Sequence, residues 1–373
     1  MLTRRKTLGL LTAASMAPAI ITSRGTAHAA PSLAPQPLIF AHRGASALRP
    51  EHTFGSYAKA MQDGADFIEP DLVMTKDGHL VVRHEPNIVE TTDVADHPEF
   101  ANRRRTVTID GEKQTGWFTF DFTLAEIKTL RARERLATLR PQNTRYNDRF
   151  AIPTFEEMIE LVSAEASATG KTFGIIPEIK HSTFFHSIGL DPETEFLRII
   201  AAHEYTRQAP LELQSFETAN LAKIRSQVLA INPQARLMFL MDDRNAVPAD
   251  VAAAGKKTTF GDFMTPSGLQ EIRRFADVIG PSNVDIIPRD AQGAWLAPSS
   301  LITDAHNAGL LVHSYTARPE NIFLPKQLRG PGGPAARNPE GMIAELRRYL
   351  DLGLDGFFTD DPAIGRLALN GPI

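Results

Sequence analysis

The chain has 373 residues, 40 Lys+Arg against 44 Asp+Glu for a formal net charge of −4, and 42% hydrophobic and 23% charged residues. That composition fills a sizeable core and excludes wholesale disorder, and the acidic balance excludes nucleic-acid binding by bulk charge. The absence of cysteine excludes disulfide scaffolds, thiolate metal sites and cysteine nucleophiles.

Residues 1–29 combine a basic start (Arg4, Arg5, Lys6), an apolar stretch from about Leu8 to Ile21 and a small-x-small ending at Ala27-His28-Ala29. This is the layout of a cleavable signal, with an apolar stretch too short to span a bilayer. The Arg4-Arg5 pair and the weakly hydrophobic stretch behind it predict export to the periplasm by the twin-arginine route, with no stable membrane insertion.

Eight short apolar runs follow, each trailed by a helical stretch: Leu38–Ala41, Asp66–Val73, Phe173–Ile179, Leu211–Gln214, Arg236–Met241, Ala276–Gly280, Leu310–His313 and Gly356–Thr359. Repeated strand–helix units in that number predict a (β/α)8 TIM barrel of the α/β class. Thr123 with Glu126, and Thr154 with Glu157, have capping-box spacing, and Asp191-Pro192 reads as a cap with proline in the first turn.

About seventy residues separate His84 from the helix near Thr154, too many for a plain connection. An insertion over about 86–150 is predicted, with a hairpin at Thr106–Thr119 turning at Asp110-Gly111, a helix at Leu124–Leu136 and a polar stretch at Pro141–Arg149. Arg103, Arg104 and Arg105 read as a solvated face, Trp117 as an anchor of the insertion, and Pro325–Pro339 as an irregular loop.

Chemistry-bearing residues gather where predicted strands end, the rim at which barrels build active sites. The first strand runs into His42-Arg43-Gly44. On the second, Glu69 and Asp71 project from one face by two-residue alternation, and two like charges there call for a cation. After a turn at Thr75–Gly78 comes His84. The third ends in Glu178 and Lys180, again on one face. Three carboxylates suit a hard divalent cation bound through oxygen, and Arg43 and Lys180 suit an anion. Together these groups point to phosphoryl chemistry with two histidines exchanging protons.

In order, His42-Arg43-Gly44, Pro50-Glu51-His52-Thr53, Glu69-x-Asp71 with Thr75–Gly78 and His84, Pro177-Glu178-x-Lys180, Gln214-Ser215-Phe216, Val312-His313-x-Tyr315-Thr316 and Asp355-Gly356-x-x-Thr359-Asp360-x-Pro362 resemble the motifs of glycerophosphodiester phosphodiesterases. The Pro-Glu-His-Thr form, Thr92–Asp96 and the long insertion are similar to the periplasmic, calcium-using branch. The resemblance implies a TIM barrel that hydrolyses glycerophosphodiesters such as glycerophosphocholine or glycerophosphoethanolamine to sn-glycerol 3-phosphate and an alcohol.

It further implies that His42 and His84 are the acid–base pair. Glu69, Asp71 and Glu178 would hold one divalent cation, calcium with magnesium as the alternative. Arg43 and Lys180 would contact phosphate, Gln214, Phe216 and Tyr315 would line the glycerol side, and Glu51 would support the site. Glu85 and Tyr315 replace the family's usual aspartate and tryptophan. His313 reads as a packed core histidine, and Asp360 as bonded within the rim. The alternatives are a related phosphodiesterase acting on lysophospholipid or polyol-phosphate polymer, and a non-catalytic barrel that binds glycerophosphodiesters.

Cleavage after Ala29 would remove four basic side chains and no acid, leaving 36 basic residues against 44 acidic, a net −8. Attraction of an anionic substrate would therefore have to be local.

Overall fold

The computed structural model describes residues 37–371; the predicted export signal at residues 1–29 lies outside them. The first barrel strand, Leu38–Ala41, pairs in parallel with the second at Phe67–Ile68 and with the last at Gly356–Thr359. Between these run the third strand (Gly174–Ile175 and Glu178–Ile179), the fourth (Glu212–Ser215), the fifth (Arg236–Leu240), the sixth (Val278–Gly280) and the seventh (Leu311–Ala317). Each pairs in parallel with the next around the ring. All eight predicted strands are present, in a TIM-barrel fold.

Strands two and three are each split by a proline. Phe67–Ile68 gives way to Asp71–Met74 across Glu69-Pro70, and Gly174–Ile175 to Glu178–Ile179 across Ile176-Pro177. Proline has no N–H to donate, so the regular ladder lapses there. The carbonyls still serve: the Glu178 amide donates to Pro70 and the Gln214 amide to Pro177, both at 2.9 Å.

Alternation along the strands stacks two layers inside the barrel. Phe40, Phe67, Ile176, Met238, Leu240, Val278 and Phe358 form an apolar plug, with Phe40 and Phe358 stacked at 4.9 Å between centroids. Two residues onward along four of these strands stand His42, Glu69, Glu178 and Asp360. The chemistry therefore sits on a dry floor.

An antiparallel return strand, Leu80–Val82, runs back along Asp71–Met74. It carries His84 to the level of Asp71, whose carbonyl accepts from the Arg83 amide at 3.0 Å.

Beyond His84, a hairpin pairs Arg105–Ile109 with Glu112–Gly116 and turns at Asp110-Gly111. Both turn residues have positive φ, 49° and 90°, the geometry that matches strand twist in a two-residue hairpin. The predicted helix Leu124–Leu136 is corrected: it spans only Leu124–Ile127. Arg131 and Ala132 instead bridge to Ala151 and Thr92, and the Arg131 guanidinium caps the carbonyls of Lys128, Thr129 and Leu130. Capping boxes form at Thr123 and Thr154, and Asp191 caps its helix. Arg103 and Arg105 pair with Glu126 and Asp121, and buried Trp117 donates to the Phe100 carbonyl at 2.7 Å. Among the described residues no helix is long and apolar enough to cross a membrane.

Candidate active site

The first strand ends in a sharp left-handed turn, with Arg43 at φ 58° and Gly44 at φ 85°. A Cβ on Gly44 would lie 2.5 Å from the Ser56 hydroxyl, so the turn requires glycine there. This turn aims the Arg43 amide at Glu69 Oε2, 2.5 Å away. The Arg43 guanidinium donates to both oxygens of Glu51 at 3.1–3.2 Å and lies 3.7 Å from Asp71. Glu51 also accepts from Arg135, so it holds both guanidinium groups beside the cleft.

Glu69, Asp71 and Glu178 are all buried, and each offers an oxygen within 4.8 Å of the others. Burial together with the Asp71 charge pushes Glu69 well above the ordinary range. Burial likewise pushes Glu178 up to about 8, with Lys180 opposing and Asp71 adding. Asp71 is driven the other way: burial raises it, but the hydrogen bond from His52 Nε2 at 2.8 Å and nearby cations outweigh that. Its Oδ1 is buried with no hydrogen-bond partner. Three crowded carboxylates, one carrying an orphaned acceptor, fit a hard divalent cation.

Both predicted acid–base histidines stand at this cleft. His42 Nδ1 lies 2.6 Å from Asp360, and burial, then Arg43, lowers the imidazole to about 4 against the pull of Asp360. His84 Nδ1 lies 2.7 Å from Glu85, and burial, Arg43 and Lys180 lower it to about 3. Each carboxylate orients Nδ1–H toward itself and leaves Nε2 as the working nitrogen.

His42, Arg43, Glu69, His84, Glu178, Gln214, Phe216 and Tyr315 share the lining of one open cleft with a cavity volume of about 110 Å³. Lys180 sits just behind, paired with Glu178 at 2.9 Å. Two predicted residues have other engagements. The Gln214 amide is spent on Glu69 at 3.3 Å and on the Ile176 carbonyl, so it braces a carboxylate. The Tyr315 hydroxyl donates to the Met241 carbonyl at 2.5 Å, leaving its ring as a wall set edge-on to Phe216.

His313 is a packed core histidine, fully buried against Phe40 and bonded to Glu212 at 2.8 Å.

Several contributors carry no role from sequence reasoning. His52, within a motif, holds Asp71, and Arg318, following the seventh strand, lines the cleft. Asp360, expected to bond within the rim, anchors His42 there and is itself held by Arg140 at 2.5 Å and Arg318 at 3.2 Å. Alternation from Phe358 would have placed Asp360 inside the barrel; nothing local marks Arg140, which reaches in from the long segment after His84.

Comparison with known proteins gives one consistent result. The family model described as "Glycerophosphoryl diester phosphodiesterase family" matches residues 42–364. A glycerophosphodiester phosphodiesterase of Arabidopsis thaliana is 33% identical over 339 residues, 87% of this chain and 84% of that protein. One from Haemophilus influenzae is 30% identical over 355 residues, 90% of each. Among solved structures, a glycerophosphoryl diester phosphodiesterase from Silicibacter pomeroyi superposes with a TM-score of 0.61 at 19% identity, covering 90% of this chain and 93% of that one. An Oleispira antarctica phosphodiesterase in complex with the product sn-glycerol-3-phosphate gives 0.56 at 18%, covering 90% and 97%.

Proposed function

The chain belongs to the glycerophosphoryl diester phosphodiesterase family, and on that premise we propose that it is an exported, calcium-dependent enzyme that cleaves glycerophosphodiesters to sn-glycerol 3-phosphate and an alcohol. The observation that carries this reading is the convergence of three carboxylates and two oriented histidines on one cleft. Glu69, Asp71 and Glu178 hold the divalent cation, whose chemistry when bound is to polarise a phosphoryl oxygen. Arg43 and Arg318 face the phosphodiester as fixed cations, so an acidic protein still offers its substrate a locally positive wall. One histidine takes the proton of the attacking oxygen at Nε2, while the other, having picked up a proton from solvent at Nε2 beside the bound phosphodiester anion, delivers it to the leaving alkoxide as the P–O bond breaks. Phe216 and Tyr315 wall the glycerol side, and the plug of Phe40 and Phe358 keeps water from below.

The cleft is modest in volume, which favours small glycerophosphodiesters over lysophospholipids or polyol-phosphate polymers. Export rests on Arg4, Arg5 and the apolar stretch behind them.

Purified protein incubated with glycerophosphocholine and calcium is expected to release sn-glycerol 3-phosphate, and chelator is expected to stop it. Failure to hydrolyse any glycerophosphodiester across a panel of divalent cations would overturn the proposal. A His42→Ala protein that binds glycerophosphocholine while turnover persists would overturn the catalytic assignment.

A further inference from the structure

His84 is backed by more than Glu85. One oxygen of Glu85 faces His84 Nδ1 at 2.7 Å, and the other lies 3.6 Å from His181 Nε2. His181 Nδ1 in turn lies 2.6 Å from Asp110, at the tip of the hairpin. The cleft's second histidine is thus joined to a loop 26 residues further along the chain by an alternating row of carboxylates and imidazoles. Both outer members hold left-handed backbone conformations, Asp110 at φ 49° and His181 at φ 50°. Non-glycine residues in that region cost energy and persist where the surroundings enforce them.

The row explains a departure from the usual family pattern. An aspartate at position 85 would be one methylene shorter and would draw its carboxylate back from His181, already 3.6 Å away. Glutamate faces both imidazoles. His181 Nε2 is buried with no hydrogen-bond partner, and the Glu85 carboxylate, in ion-pair contact at 3.6 Å, is the counter-group on that side.

We propose that Asp110 and His181 are positioning residues for His84, acting through Glu85. This rests on the phosphodiesterase reading for its kinetic consequence, though not for its geometry. With His181 flanked by two carboxylates, burial is outweighed and the imidazole is raised to about 9, against Lys180. It is a cation at neutral pH. Glu85 is then held between a permanent cation and His84, which fixes the oxygen facing Nδ1 and stops the carboxylate from following the ring as the ring takes and gives its proton.

The experiment is a double-mutant cycle with a parallel readout that needs no turnover. His181→Gln and Asp110→Asn keep polar groups in place, and asparagine tolerates the left-handed turn. Each is expected to lower kcat about three- to tenfold with KM unchanged, a fraction of the roughly 10²–10⁴ that acid–base catalysis supplies. In a Glu85→Asp background, where the reach to His181 is lost, His181→Gln should change kcat less than about twofold. Histidine 15N resonances of the same proteins should show His181 titrating near 9 in the parent and well below that in Asp110→Asn.

Variants with parental kcat, or a His181→Gln effect of equal size in the Glu85→Asp background, overturn the proposal. So does a His181 that titrates at the ordinary histidine value in the parent protein. A parent without phosphodiesterase activity condemns the function reading instead, and the resonances still decide whether the row exists.

Discussion

The Lys180 ammonium lies 3.2 Å from His84 Nε2, and it can only donate. The ring nitrogen facing it must therefore offer a lone pair, while Nδ1, facing Glu85, carries the hydrogen. His84 is thereby set as a neutral imidazole with a fixed tautomer before any substrate arrives, in keeping with its lowered proton affinity.

Replacing Lys180 with methionine removes that donor and a positive charge. Protonated His84 then becomes easier to form, so the acidic limb of the kcat/KM profile should move to higher pH. An unmoved acidic limb would count against Lys180 as the group that fixes His84.

His42→Ala and His84→Ala should each lower kcat by roughly 10²–10⁴, and the double variant should lose little more, because the two act in one proton exchange. Asp360→Asn should keep KM and lose kcat, since the amide no longer selects the Nδ1–H tautomer of His42. Steady-state kinetics on glycerophosphocholine checks all four proteins.

Metal affinity should depend on His52, which never meets substrate. It is fully buried and hydrogen-bonded to both Asp71 and Tyr57 at 2.8 Å. Residues that hold a ligand in place commonly control 10- to 100-fold in affinity, so His52→Gln should raise the calcium concentration for half-maximal activity by about that factor. Calcium titration calorimetry gives the same comparison without turnover.

In metal-free protein, stability should fall as pH rises from 6.5 to 8. Glu178 is raised to about 8, and Glu217 and Glu345 to about 7, so the folded state keeps protons that the unfolded chain has already released. Each such proton lowers stability by about 1.4 kcal/mol per pH unit across its window. His42 and His84 are lowered and act oppositely, but only below about 6.5, where the unfolded imidazole is charged. Thermal melts should therefore show Tm declining above pH 6.5. Calcium and Glu178→Gln should each remove only the Glu178 share of the decline, leaving that of Glu217, Glu345 and His181; a slope unchanged by both would contradict the crowding of Glu69, Asp71 and Glu178.

The sequence made the barrel legible because its strands are short apolar runs with chemistry appended two residues beyond the plug. His42, Glu69, Asp71, Glu178 and Lys180 could be placed by alternation alone, and His84 by the turn before it. The helix at Leu124–Leu136 was misjudged because Arg131 and Ala132 satisfy helix periodicity while their backbones are claimed by Ala151 and Thr92. Gln214 and Tyr315 line the cleft as expected of them, but their polar groups are taken by Glu69, the Ile176 carbonyl and the Met241 carbonyl, which alternation cannot show. Asp110, Arg135 and Arg140 left no local signal of these contacts, since each meets a residue 71 to 220 positions away and only the folded chain brings them there.

The pairing of the first strand with the last has a consequence for synthesis. His42 emerges early from the ribosome and its partner Asp360 almost at the end, and four residue pairs from Leu38↔Gly356 to Ala41↔Thr359 must zip before they meet. A chain stopped short of the eighth strand would carry both histidines, all three carboxylates and Lys180, yet His42 would lack the group that orients it. Catalysis would then report completion of the ring, and a growing or truncated chain would be silent toward the phosphodiesters the closed ring cuts.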